Sequence, residues 1–68
     1  MMKISLAAAR VNAGLTQKEA AVMLGVSNKT LAAWEKRESF PNAIQIQKIC
    51  ELYVVSYDNI NFLPSNPL

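Results

Sequence analysis

The side chains of this sequence that could take part in chemistry are mainly hydrogen-bond donors and acceptors. Asn28 and Lys29 are adjacent, and Lys36 and Arg37 form a second polar pair further along the chain. An asparagine amide donates and accepts in one plane, whereas lysine and arginine donate to acceptor atoms and anions. The same residue types also cap and solvate helix ends, so residue type alone leaves both roles open.

Catalysis and metal binding are not expected. The 68 residues include one cysteine and no histidine, which leaves too few ligands for the usual Cys/His metal site. Cys50 is expected to be a core residue, with a redox-sensing thiol as the alternative. A chain of this length buries only about 60% of its unfolded surface, so it has no room for a deep substrate cleft. We therefore expect one domain over residues 1–68 that is not an enzyme and has no cofactor or small-molecule ligand.

Helix caps and helical spacing recur along the chain and predict an all-α fold. A capping box, Thr16-Gln17-Lys18-Glu19, begins the second helix, while Gly14 and Gly25 suit the left-handed conformation that follows helix ends. Five helices are expected at about 5–13, 16–24, 27–36, 42–53 and 56–60, followed by an irregular tail over residues 61–68.

The connection between the second and third helices is very short. Only Val26 separates Gly25 from Ser27, which is a good N-cap for the third helix. Two helices joined by so few residues cannot lie antiparallel, so the spacing predicts a helix-turn-helix with a steep angle between the helices.

Apolar residues fall on one face of each predicted helix and indicate a single core. The core residues expected from helices and turns are Leu6, Ala9, Ala13, Leu15, Ala20, Ala21, Leu24, Val26, Leu31, Trp34, Ile46, Ile49, Cys50, Tyr53, Val55 and Ile60.

Arg10 shares the face of Leu6 and Ala13, and a guanidinium directed toward a core needs a partner. Glu35, beside Trp34, is the best candidate, and the alternative is that both charges reach solvent.

The segment GLTQKEAAVMLGVSNKTLAAWE, residues 14–35, resembles the Cro/phage-repressor helix-turn-helix family, also called XRE-type regulators. Thr16-Gln17 opens the first motif helix, Gly25 forms the turn, and Leu31 and Trp34 occupy buried positions. The resemblance extends to Val55-Ser56 and covers about four-fifths of the chain. It implies a compact, five-helix, lambda-repressor-like domain that binds double-stranded DNA through helices two and three.

The resemblance also implies a set of DNA contacts, with a recognition helix at about residues 28–36 in the major groove. The candidate base-contacting residues are Ser27, Asn28, Lys29, Ala32 and Ala33, and the candidate phosphate-contacting residues are Gln17, Lys36, Arg37 and Asn42. The resemblance supports Arg10 and Glu35 as a structural pair between helices. For Asn42, a role as a plain N-cap is an equally open interpretation.

Two positions depart from the family pattern. The family usually has glycine after the third and fourth helices, where this chain has Arg37 and Val54. A positive φ is costly for a β-branched residue. Val54 is therefore expected either to adopt an ordinary conformation through a different helix ending or to be strained.

The function implied by the resemblance is sequence-specific DNA binding by a regulator of the phage or mobile-element repressor/Cro type. We expect a homodimer on a pseudo-palindromic operator, with Phe62 and Leu63 as a dimer patch. An alternative is an antitoxin or adaptor that uses the same fold mainly to bind another protein, although no dedicated toxin-binding extension is evident.

Charge and hydropathy agree with a cytoplasmic DNA-binding protein. Residues 1–40 carry six basic and three acidic side chains, whereas residues 41–68 carry one basic and two acidic, so the basic excess lies with the helix-turn-helix. Arg10 interrupts the apolar N-terminal stretch, and no membrane-spanning segment is expected.

Overall fold

The structure is a computed structural model that describes residues 3–62. Its α-helices are α1 (Leu6–Asn12), α2 (Gln17–Leu24), α3 (Asn28–Glu35) and α4 (Ala43–Tyr53). A single turn of 3₁₀-helix, Tyr57–Asn59, follows α4. The expectation of five α-helices is therefore wrong at residues 56–60, where Ser56 makes no side-chain cap hydrogen bond and the helix ends after one 3₁₀ turn. None of the helices within residues 3–62 is long and apolar enough to cross a membrane.

Each α-helix begins at a polar cap, and the sequence predicts three of these caps, Thr16, Ser27 and Asn42. The side chains of Ser5, Thr16, Ser27 and Asn42 each accept a hydrogen bond from a backbone amide three residues later. Thr16 and Asn42 belong to complete capping boxes, with the side chains of Glu19 and Gln45 returning to the cap backbone. These reciprocal bonds satisfy amides that the helix itself leaves free.

A residue in the left-handed region follows the last turn of each of the four helices. These residues are Gly14 (φ 78°), Gly25 (φ 74°), Arg37 (φ 63°) and Val54 (φ 55°). In each case the next residue donates its amide to a carbonyl five residues back, as in Glu38 to Ala33 at 2.9 Å and Val55 to Cys50 at 3.1 Å. This pattern is the Schellman ending of a helix. Val54 therefore keeps the helix ending that usually uses glycine, and it is strained.

The helices enclose one core of small and large apolar side chains. Its buried members are Leu6, Ala9, Ala20, Ala21, Leu24, Leu31, Trp34, Ile49, Tyr53, Ile60 and Phe62. Ala9, Ala20 and Ala21 are at most 1% exposed, which lets the first two helices approach their neighbours closely. The predicted core residues Ala13, Leu15, Val26, Ile46 and Val55 are only partly buried and pack around this centre. Cys50, also predicted for the core, is partly buried and lies outside the buried cluster.

Two short strands add a β element to a fold expected to be all-α. Strand β1 (Ile4–Ser5) pairs in parallel with strand β2 (Ile60–Asn61), so that Ile4 lies opposite Ile60. Strands of two residues show no alternating pattern, which explains why the sequence does not reveal them. The described fold is therefore mainly helical, with a small sheet that joins the two ends of residues 3–62.

The predicted dimer patch is wrong at Phe62. Its side chain is 8% exposed, belongs to the core, and stacks on Tyr57 with ring centroids 5.6 Å apart. The second residue of that patch, Leu63, lies outside the described residues, as does the rest of the expected irregular tail after Phe62.

Candidate nucleic-acid interface

The helix-turn-helix is formed by α2, the turn at Gly25 and α3. Gly25 ends α2 in the left-handed conformation, and the amide of Val26 donates to the carbonyl of Ala21 at 3.0 Å. Leu31 and Trp34 then bury one side of α3, with 0% and 6% exposure. Burial of this side determines which side of α3 faces outward.

The N-terminal end and the outward side of α3 carry the polar pair that the sequence predicts as readers of DNA. Asn28 and Lys29 are exposed at its N-terminal end, and neither side chain makes a hydrogen bond to any residue in 3–62. Ala32 and Ala33 are half-buried, so their methyl groups form a low surface between the longer side chains. The arrangement leaves amide and ammonium donors available beside a surface that another molecule can approach closely.

Ser27 is engaged locally. Its hydroxyl accepts from the backbone amide of Thr30 at 3.0 Å and donates to the Thr30 hydroxyl oxygen at 2.9 Å. Only a remaining lone pair on Ser27 is available to a ligand. Thr30 is a residue that the sequence reasoning missed, although the Ser-x-x-Thr spacing at a helix start could have indicated it.

Three of the candidate phosphate-contacting residues lie around the end of α3 and the start of α4. Lys36 is exposed at the C-terminal cap of α3, and Arg37 follows it in the left-handed conformation. Asn42 uses its side-chain oxygen to accept from the Gln45 amide at 2.8 Å, which leaves its NH₂ group to donate. Asn42 can therefore cap α4 and bind an acceptor at the same time.

The fourth candidate, Gln17, belongs to a hydrogen-bonded network with the pair Arg10 and Glu35. The Arg10 Nε lies 2.7 Å from Glu35 Oε2, and the side chains are 14% and 8% exposed. This hydrogen bond raises the pKa of Arg10 above its usual value, partly opposed by burial. Gln17 donates its amide to Glu35 Oε1 at 3.0 Å, a contact across 18 residues that no local sequence signal indicates.

The capping box of α2 also bears on this end of the interface. The Glu19 carboxylate accepts from the Thr16 amide at 2.9 Å, and the hydrogen bonds from Thr16 lower the pKa of Glu19. A negative charge therefore lies at the N-terminus of α2, where it stabilises the helix dipole. The side chain of Gln17 is then one donor that this end of α2 offers.

Comparison with known proteins identifies a family. A family model described as a helix-turn-helix matches residues 6–60, which span α1 through the start of β2. Neither the curated proteins nor the solved structures include a significant match.

Proposed function

The chain belongs to the helix-turn-helix family of the Cro/C1 type, the XRE family, and from this membership we propose that it is a sequence-specific regulator that reads double-stranded DNA with α3. The observation that carries the proposal is the exposed pair at the start of α3, with Asn28 at the N-terminal end and Lys29 on the side opposite buried Leu31 and Trp34. A helix fits the major groove of B-DNA and presents its N-terminal residues to base edges.

Four residues of α3 then have defined roles. The amide of Asn28 can bond adenine at N6 and N7, and Lys29 can donate to guanine O6 and N7. The half-buried Ala32 and Ala33 let the helix backbone approach the bases and offer methyl contacts to thymine. Around them, Gln17, Lys36, Arg37 and Asn42 contact phosphates and fix the register of the helix on DNA.

The regulator is of the phage or mobile-element repressor/Cro type and acts in the cytoplasm by occupying an operator. It binds as a homodimer, so its two recognition helices lie about 34 Å apart on a pseudo-palindromic site. Because the net charge of the whole sequence is only +2, dimerisation and groove fit contribute to affinity along with the release of counterions.

Selection of bound sequences from random duplex DNA tests this proposal directly. We expect a pseudo-palindromic motif, and we expect Asn28→Ala to lose about 1 to 3 kcal/mol of discrimination at one base position. Lys36→Ala should weaken binding to all sequences alike and reduce the salt slope by about one. Gln47→Ala, on the exposed side of α4, is the matched control and should change neither.

A selection with no sequence preference would overturn the proposal. If Asn28→Ala weakened all sequences alike, Asn28 would contact the backbone instead of a base. Sedimentation of the protein alone and with the selected duplex tests the dimer, which a monomer under both conditions would contradict.

One observation favours a second candidate, a module that mainly binds another protein. An open groove of about 350 Å³ on the outer side of α2 is lined by Leu15, Lys18, Glu19, Val22 and Met23. Val22 and Met23 are 73% and 61% exposed, more than a core role would explain. Val22→Ser with Met23→Ser separates the two candidates, because a DNA-binding regulator should keep its operator affinity.

A further inference from the structure

Glu35 contacts more than its ion-pair partner. Its Oε2 atom accepts from Arg10 Nε at 2.7 Å, and its Oε1 atom accepts from the Gln17 amide at 3.0 Å and from Arg10 Nη2 at a longer 3.4 Å. Arg10 is fixed in turn because its Nη1 donates to the carbonyl of Leu15 at 2.9 Å. The carboxylate therefore joins α1, α2 and α3 at a single point.

The hydrogen bond from Gln17 to Glu35 uses one of the two amide N–H groups of Gln17 and leaves the second without an acceptor in this network. A glutamine side chain amide carries two hydrogens in a plane, and Glu35 accepts from this NH₂ group with one oxygen. With the amide plane held by Glu35, the direction of the second N–H is fixed as well. Gln17 is the first residue of α2 and is partly exposed, so this second donor lies at the edge of the helix-turn-helix.

Charge compensation makes this position compatible with a phosphate. An isolated carboxylate close to DNA would repel the backbone, but the Glu35 charge is matched by the Arg10 guanidinium in direct contact. The unit of three side chains therefore presents a fixed neutral donor with almost no net charge. A flexible glutamine would lose rotamer freedom on binding, at a cost in conformational entropy. A glutamine already held by Glu35 has lost that freedom on folding, so binding does not incur this cost.

We propose that Glu35 is a positioning residue for DNA binding, which holds the Gln17 amide so that its second N–H donates to a phosphate. The proposal rests on the DNA-binding function above and adds to it a role for Glu35 beyond its pairing with Arg10. Glu35 itself touches no phosphate.

The test compares Gln17→Ala in two backgrounds, using the duplex obtained by selection. In the unaltered protein, loss of a hydrogen bond to a charged phosphate should weaken binding about tenfold for all sequences alike. The second background is Arg10→Met with Glu35→Met, which leaves the net charge unchanged and replaces a partly buried pair by apolar side chains, a change that folded proteins often tolerate. There, binding should already be several-fold weaker, and adding Gln17→Ala should cost less than about twofold.

A measurement on the unaltered protein does not depend on any variant folding. Relaxation of the side-chain ¹⁵N nuclei reports how rigid each glutamine amide is on the picosecond to nanosecond timescale. The amide of Gln17 should be as rigid as the backbone in the free protein, whereas that of exposed Gln47 should be mobile. Equal mobility of the two amides would overturn the proposal.

The outcomes separate this proposal from the proposed function. If Gln17→Ala costs tenfold in both backgrounds, the phosphate contact exists but Glu35 does not position it. If Gln17→Ala has no effect in the unaltered protein, the contact and the proposal fail together. The base preference lost in Asn28→Ala still decides independently whether the protein reads DNA.

Discussion

The hydroxyl of Tyr53 is a buried polar group without a hydrogen-bond partner in residues 3–62. Burial raises its pKa to about 12, the nearby Glu35 carboxylate adds to that rise, and the Arg10 guanidinium opposes it. The phenol therefore stays protonated and neutral near pH 7. Because it has lost its hydration without gaining a partner, it costs folding free energy.

Tyr53→Phe should therefore stabilise the protein. It removes the unsatisfied hydroxyl and keeps the ring, so we expect the free energy of unfolding to rise by about 1 kcal/mol in urea denaturation. Tyr57→Phe is the control, because Tyr57 is 53% exposed and its hydroxyl remains solvated, and this variant should leave stability unchanged. A loss of stability in Tyr53→Phe would show that the hydroxyl is hydrogen-bonded in solution.

Among the helix elements, the end of α4 carries the clearest strain. Val54 holds a left-handed conformation with φ 55° and ψ 52°, and its side chain is 85% exposed. Such a conformation costs an L-residue about 1 to 2 kcal/mol. Because the Val54 side chain is largely exposed, its packing contacts offset little of this cost. The strain is maintained by the Schellman hydrogen bond from Val55 to Cys50.

Val54→Gly should relieve this strain. We expect a gain of about 1 kcal/mol in the free energy of unfolding, somewhat reduced by the greater freedom of glycine in the unfolded chain. Gly25→Ala is the reciprocal control and should destabilise by a similar amount, since a Cβ there meets no atom within 4 Å and only the positive φ is at issue. Destabilisation by Val54→Gly in a chemical melt would contradict the assignment of strain.

The capping box of α2 should make stability depend on pH. Because the pKa of Glu19 is lowered in the folded state, its stabilising contribution is complete above its ordinary value of 4.5 and is lost as pH falls below that value. The stability difference between the unaltered protein and Glu19→Gln should therefore shrink from pH 7 toward pH 3. The equivalent box of α4 uses uncharged Gln45, so the effect of Gln45→Ala should not change with pH.

What could be predicted from the sequence differs between the two ends of each helix. The start of a helix depends on one capping residue and on the backbone amide three residues later, which is local information. The sequence therefore predicts where all four α-helices start. Ends at Gly14 and Gly25 follow from glycine itself, whereas no local rule indicates that Val54 takes the same conformation.

Apart from the pair Arg10 and Glu35, contacts between distant residues are the part that the sequence does not predict. The bond from Gln17 to Glu35 and the pairing of Ile4 with Ile60 depend on how the helices pack, which no periodic pattern records. Phe62 follows a 3₁₀ turn without helical spacing, so nothing in its surroundings distinguished a core aromatic from a surface one. The outward residues of α3 were predictable because Leu31 and Trp34 define the opposite side.

For the molecule as a whole, the side chain of Phe62 stabilises the fold and does not form a surface for dimerisation. Phe62→Ala removes a side chain that is 8% exposed and stacked on Tyr57, so we expect a loss of about 3 kcal/mol in the free energy of unfolding. Phe40→Ala, at a residue that is 49% exposed, should cost much less. If Phe62→Ala kept its stability but changed from dimer to monomer in sedimentation, Phe62 would form part of the dimer surface after all.

The parallel register of β1 and β2 determines how the domain responds to mechanical tension. The chain enters before Ile4 and leaves after Asn61, and the two strands run in the same direction. A pull on both sides therefore slides the strands past each other along their length, loading their backbone hydrogen bonds together in shear. A hairpin pulled at its ends would instead open one hydrogen bond at a time.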